Sequence, residues 1–171
     1  MVAQPRCPMP SITIRSATPN DVPLILGFIR ELARFENEPD AVKTTQEDLL
    51  RDGFGEQPQF EALIAERNDK PVGFALFFAT YSTWEGRPSL YLEDLFVVES
   101  ARKYGVGRAL MAKLAALSVE RGYQRLELQV LDWNPAREFY HRLGMGHMDE
   151  WLPYRLSGQA LHALAAESKP S

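Results

Sequence analysis

Hydrophobic positions in the stretch from Leu90 to Leu110 (LYLEDLFVVESARKYGVGRAL) change their period once, and the rest of the chain is read around that change. Leu90, Leu92, Phe96 and Val98 fall on one face of an extended segment, and Tyr91, Leu95 and Val97 on the other. Beyond it Val106, Leu110, Leu114 and Leu117 recur at helical spacing, so a helix starts close to Gly105. Upstream, SITIRS (Ser11 to Ser16) predicts a short strand. Helix signals follow around Thr18-Pro19-Asn20-Asp21, with Pro23 tolerable only in the first turn. Ile25, Phe28, Ile29 and Leu32 form a buried stripe as far as about Phe35, and the acidic FENEPD ends the helix. A second short helix covers Thr45 to Arg51, capped by Thr44 or Thr45 and stopped by Gly53.

Phe60 to Arg67 alternates as a strand does, with Asn68-Asp69-Lys70-Pro71 as its turn. VGFALFFAT (Val72 to Thr80) is nearly all apolar, as in a strand covered on both faces. Tyr81 to Ser89, holding Trp84, Glu85 and Gly86, is a connection. Downstream, Arg125 to Leu131 alternates again, and Asn134 to Leu143 is a helix with Pro135 in its first turn and Gly144 ending it. Short strands are expected around Met145–Asp149 and Trp151–Leu156, then a weak helix from Gly158. This order implies a mixed α/β (α+β) sheet flanked by helices. No repeat or domain boundary interrupts it, so residues 12–171 are read as one domain behind a flexible extension of residues 1–11, which carries Pro5, Pro8 and Pro10.

Composition narrows the class. The 171 residues, 45% hydrophobic and 25% charged, are those of an ordinary globular chain with room for a substantial core. A net charge of -4 and a pI near 5.4 argue against a nucleic-acid partner and suit a cationic substrate. A single Cys7 leaves no internal disulfide framework and fits a reducing compartment. No apolar run is long enough for a membrane span and the first residues lack a signal-peptide core, so a cytoplasmic protein is expected. His141, His147 and His162 lack metal-site spacing with carboxylates or Cys7, and no metal is expected.

The chemistry-bearing loop is Arg102, Lys103, Tyr104, Gly105, Val106, Gly107 and Arg108. Two glycines before a helix make either a tight turn or an anion site. Bare N–H groups at a helix start, the macrodipole and close backbone approach favour the second where a phosphate is at hand. The Rossmann pattern would need a small residue where Leu110 stands, and a Walker loop would need Gly-Lys-Ser/Thr. What remains is Arg-x-x-Gly-x-Gly after a strand carrying Glu93-Asp94, which resembles the acyl-CoA pyrophosphate loop of the GNAT superfamily of N-acetyltransferases. The element order from Ile12 to Leu156 is similar to that fold. ELARFE (Glu31–Glu36), DLLRDGFGE (Asp48–Glu56), VGFALFFATYSTWEG (Val72–Gly86), LYLEDLFV (Leu90–Val97) and DWNPAREFY (Asp132–Tyr140) resemble the spermidine/spermine (diamine) and thialysine N-acetyltransferases.

The resemblance implies a mostly antiparallel sheet splayed between its fourth and fifth strands, acetyl-CoA as cosubstrate, and transfer to a primary amine of a small polyamine, diamine or lysine analogue. An alkylammonium with a pKa of about 10 must lose a proton before it attacks, and the thioester oxygen must be held as it gains charge. Glu93, directly or through a water, is the candidate base; otherwise it is an ion-paired strand-end carboxylate. Adjacent Glu93 and Asp94 would point to opposite faces of a regular strand; a bulge, which the resemblance implies, would re-aim them and make Asp94 a cation-binding residue. Tyr140 matches the family's general acid; otherwise it packs its ring and bonds its hydroxyl.

By the same matching, Asn134, Ala136, Arg137 and Tyr140 contact the cofactor, and Leu95, Phe96 and Val97 offer it backbone groups. Lys103 to Arg108 cradle the pyrophosphate, with Arg102 and Arg108 adding charge. Phe35, Glu36, Trp84, Glu85, Glu127 and Gln129 are candidates for the amine side, where an acidic aromatic cleft attracts a cation; Trp84 reads equally as core. Ser82 departs from the polyamine enzymes, which carry an acid there, so a diamine or lysine analogue is credible. The resemblance also implies a homodimer, with Val119 and the apolar residues of 151–156 as contributors. Two alternatives stay open: acetylation of a protein N-terminus or lysine, and a CoA-binding regulatory domain without turnover.

Overall fold

The computed structural model describes residues 11–168; the extension, with Cys7, lies outside them except for Ser11. The chain forms two compact units, divided after Asn134. The first holds β1 (Ile12–Ser16), α1 (Val22–Phe35), α2 (Gln46–Phe54), β2 (Glu61–Arg67), β3 (Lys70–Ser82), β4 (Arg87–Val97), α3 (Val106–Glu120) and β5 (Leu126–Leu128). The second holds α4 (Ala136–Arg142) and α5 (Gly158–Ala166).

The five strands lie side by side in chain order. β1 to β4 form an antiparallel meander, and β5 joins β4 in parallel. The hairpin between β2 and β3 turns on Asn68 and Asp69, with φ of 52° and 59°, as a two-residue turn matched to strand twist requires. Strand alternation gives the sheet two buried faces. Ala62, Ile64, Phe74, Leu76 and Phe96 pack with Val22, Ile25, Leu26 and Phe28 of α1 and Leu49 of α2. Residues of the opposite parity, including Leu63, Ala75, Phe77, Leu90 and Leu92, are buried too, and α3 buries Val106, Leu110, Met111 and Leu114.

Several boundaries differ from the periodicity. α2 runs through Gly53 to Phe54, because the Phe60 ring lies where a side chain at residue 53 would be: a Cβ there would stand 2.5 Å from it. Thr45 caps the helix, accepting from the Asp48 N–H. β3 and β4 extend toward one another, reducing the expected long connection to a turn at residues 83–86. β5 keeps only three of its expected residues. In the second unit no strand forms over residues 145–156. That segment is largely exposed, turns where the Trp151 N–H meets Met148 O, and carries Pro153, which cannot donate to a ladder. The helix from Gly158 does form.

β3 and β4 approach so closely that an added Cβ at Gly73 would stand 2.5 Å from the Phe96 carbonyl oxygen. A Cβ at Gly27, within α1, meets nothing within 4 Å. Gly73→Ala is therefore expected to cost about 2 kcal/mol or more, and Gly27→Ala to stabilise by about 1 kcal/mol, in urea titrations of the two variants.

Candidate active site

The register of β3 against β4 slips at one point: Leu76 pairs with Asp94 and Phe77 with Leu92, so Glu93 has no partner. That is a β-bulge at the predicted position. Directly opposed residues share a face, so Asp94 falls with Leu76 on the α1 face while Leu92 remains with Phe77 on the α3 face. Without the extra residue Asp94 would follow Leu92 into the core under α3. The slip delivers a carboxylate to the end of α1.

Burial, with added repulsion from Glu93 and Glu36, pushes the Asp94 carboxyl up to about 6. Burial also raises Glu36, which follows the last turn of α1. Tyr91 is raised by burial and by the negative charges of Glu93 and Glu127. Glu93 itself is exposed, and Glu127 lies opposite Tyr91 in the β4–β5 pair, with Arg125 Nε 3.8 Å from its Oε1. Glu36, Glu93, Asp94 and Glu127 thus make one field around β4. Tyr91, facing the same charges, was not among the sequence candidates, although its alternation with Leu92 already set it on this side.

The bulge also ends the seam with β5. Pairing covers Leu90 to Leu92 and stops there. The Val98 N–H donates to Val72 O at 2.9 Å and Val97 lies opposite Gly73. By the alternation of an antiparallel ladder, Leu95 and Val97 turn their backbone groups to the edge that β5 leaves. Phe96 turns its own toward β3 and its ring into the core, so of the three residues expected to offer backbone groups it offers none on that edge.

Past the strand a short 3-10 segment (Glu99–Ala101) leads into the loop that opens α3. Lys103 and Gly105 take left-handed conformations, with φ of 70° and 86°. Gly105 is the N-cap and supplies no side-chain hydrogen bond, while its carbonyl accepts from the Ala109 N–H at 2.9 Å. The N–H groups of Val106, Gly107 and Arg108 therefore have no helical acceptor. Nothing lies within 4 Å of a Cβ at Gly105. Open space beside orphan donors at the positive end of a fifteen-residue helix fits a diphosphate.

Arg102 goes elsewhere. Its Nε donates to Val97 O at 3.0 Å, and its guanidinium carbon lies 5.1 Å from the Phe35 ring centre and 5.9 Å from that of Phe96. Phe35 in turn meets Trp133, with ring centres 6.3 Å apart, an aromatic neighbour not among the sequence candidates. Trp84 is 87% exposed and so is not core, and the buried Ser82 accepts from the Glu85 N–H at 3.2 Å. Trp84 and Glu85 stand on the β3–β4 turn, roughly 20 Å of extended strand before Glu93; the fold does not bring them to the carboxylate group. Gln129 follows β5 and is exposed, while Asn134 is buried.

In the second unit Tyr140 and Arg137 lie on α4, whose first residue is Ala136. The Tyr140 ring lies 5.3 Å from that of Phe139. Among the described residues no group of His, Cys, Asp and Glu could hold a metal, and no helix is long and apolar enough to cross a membrane.

Residues 26–145 match the model of the acetyltransferase (GNAT) family. The chain belongs to that family. It is an acetyltransferase by that membership, and its fold is the one the sequence resemblance implied. It is 39% identical to thialysine N-epsilon-acetyltransferase of Sus scrofa, across 93% of this chain and all of that one. It is 38% identical to the spermidine/spermine N(1)-acetyltransferase-like protein 1 of Homo sapiens, across 90% of this chain and 24% of that longer one. An integron cassette protein from the mobile metagenome of V. cholerae superposes with a TM-score of 0.76 at 29% identity, covering 92% of this chain and 99% of that one. These relatives bear out the resemblance read from the chain.

Asp94 gives the site a stability signature. Its carboxyl ionises less readily folded than unfolded, so between about pH 4 and pH 6 the native state holds the additional proton. Stability from this group is therefore greatest in acid and falls as pH rises through that window. Asp94→Asn removes the penalty, and its melting temperature is expected to exceed that of the parent at pH 8, by up to about 3 kcal/mol in stability. The difference should close below pH 4 in thermal melts.

Proposed function

We propose that this GNAT enzyme transfers the acetyl group of acetyl-CoA to the primary amine of a diamine or lysine analogue. It is an amine N-acetyltransferase, and the observation that carries the narrower reading is the bulge at Glu93. It sets an exposed carboxylate beside the open edge of β4 and a second, Asp94, toward Glu36. In this reading the orphan amides of Val106, Gly107 and Arg108 hold the cofactor's diphosphate, Lys103, Tyr104 and Gly105 shape that turn, and Leu95 and Val97 pair with its pantetheine arm. Acetyl-CoA supplies an activated thioester. Glu93, directly or through one water, takes the proton that the attacking ammonium must lose. An N–H on the open edge, such as that of Leu95, faces the acyl oxygen as charge gathers there. Tyr140 is the proposed acid for the departing thiolate, and Asn134, Ala136 and Arg137 are proposed cofactor contacts.

Charge selects the amine. Glu36, Asp94 and Glu127 attract an ammonium, and Phe35 offers it an aromatic face. Arg102 already sets one cation over Phe35, and Ser82 supplies no extra acid, which together disfavour a substrate carrying several charges. The thialysine specificity in the name of the Sus scrofa relative points the same way. A cytoplasmic location accords with this chemistry. Exposed Val119 in the first unit, and Trp151, Leu152 and Tyr154 in the second, support a homodimer.

The test is thiol release from acetyl-CoA with thialysine, lysine, putrescine and spermidine. Thialysine or putrescine should give the highest kcat/KM. Glu93→Gln should lower kcat/KM by about 10²- to 10⁴-fold, and Tyr140→Phe should lower kcat. Tight CoA binding without turnover of the four or of an added peptide with a free N-terminus and lysine would replace this reading with the regulatory one, and turnover of that peptide alone with protein acetylation.

A further inference from the structure

The amide cradle at the start of α3 is built on a turn that would not hold its shape unaided. Lys103 sits at a φ of 70°, a region that costs a side-chain-bearing residue about 1 kcal/mol or more. Something must hold Lys103-Tyr104-Gly105 in place, and one contact stands out. The guanidinium carbon of Arg67, the last residue of β2, lies 3.7 Å from the centre of the Tyr104 ring. Its Nε is fully buried and has no hydrogen-bond partner among the described residues. A buried guanidinium N–H left without an acceptor is a cost that the face of the tyrosine offsets.

The platform under Arg67 is rigid. The hairpin that follows it has a two-residue turn, the Asn68 N–H donates to Ser11 O at 3.2 Å, and β3 is drawn against β4 by the close approach at Gly73. We propose that Arg67 is a positioning residue for acetyl-CoA: stacked on Tyr104, it fixes the turn so that the N–H groups of Val106, Gly107 and Arg108 converge on the diphosphate. This rests on the function proposed above. Arg67 touches no reacting atom, so its effect should fall on cofactor affinity rather than on the chemical step.

The experiment measures binding of desulfo-CoA, which lacks the thiol, by calorimetry, alongside the KM for acetyl-CoA. Arg67→Ala should weaken binding and raise that KM by about three- to tenfold, with the loss in KM rather than kcat. Arg67→Lys, which keeps a cation over the ring and protects against a mere folding failure, should recover part of it. Tyr104→Leu should weaken binding similarly, and the double variant should lose less than the two losses combined. Unchanged affinity in Arg67→Ala, or independent losses in the double variant, would overturn the inference. Absence of desulfo-CoA binding to the parent protein would instead overturn the reading of the cradle, so the two failures are separable.

Discussion

The site depends on one residue that finds no partner. Glu93 breaks the β3–β4 ladder, and two consequences meet at that break. The phase of the strand shifts, so Asp94 leaves the α3 face for the end of α1. The seam with β5 stops at Leu92, so the backbone of Leu95 and Val97 is turned to an edge with no neighbouring strand. Past the strand, residues 98–105 lead to the start of α3. Hydrogen bonding lost at one ladder position is converted into a carboxylate field and an open pairing edge on one strand.

The electrostatics of that field explain why it suits a cation. Of the four carboxylates around β4, Glu127 alone has an ion-pair partner among the described residues, Arg125, and the buried Asp94 is pushed up to about 6. A site so arranged is frustrated when empty and relieved by an ammonium. Arg102 contributes from over an aromatic ring and not from within 4 Å of any described carboxylate.

Much of this was legible in the chain. The change from two-residue to helical period at Gly105, the apolar run of β3 and the capping Thr45 follow from local rules, and all three elements form close to where those rules set them. The bulge was legible only through a resemblance, since alternation alone sends Glu93 and Asp94 to opposite faces. What escaped depends on contacts distant in sequence. Phe60 allows α2 to run through Gly53, Arg67 finds Tyr104 across the sheet, and Arg102 turns from the cradle to Phe35. The strands expected over residues 145–156 fail because alternation describes one side of a ladder and cannot supply the other.

The brevity of the parallel seam has a bearing on how the site comes into being. The β2–β3 and β3–β4 hairpins close short loops, whereas joining β1 to β2 requires closing a loop that contains α1 and α2, and joining β5 to β4 one that contains all of α3, each at a larger entropic cost. Three residue pairs reward the closure of β5 onto β4. Glu93 and its bulge belong to the β3–β4 hairpin and can form with it, whereas the edge beside them is bounded only when β5 arrives.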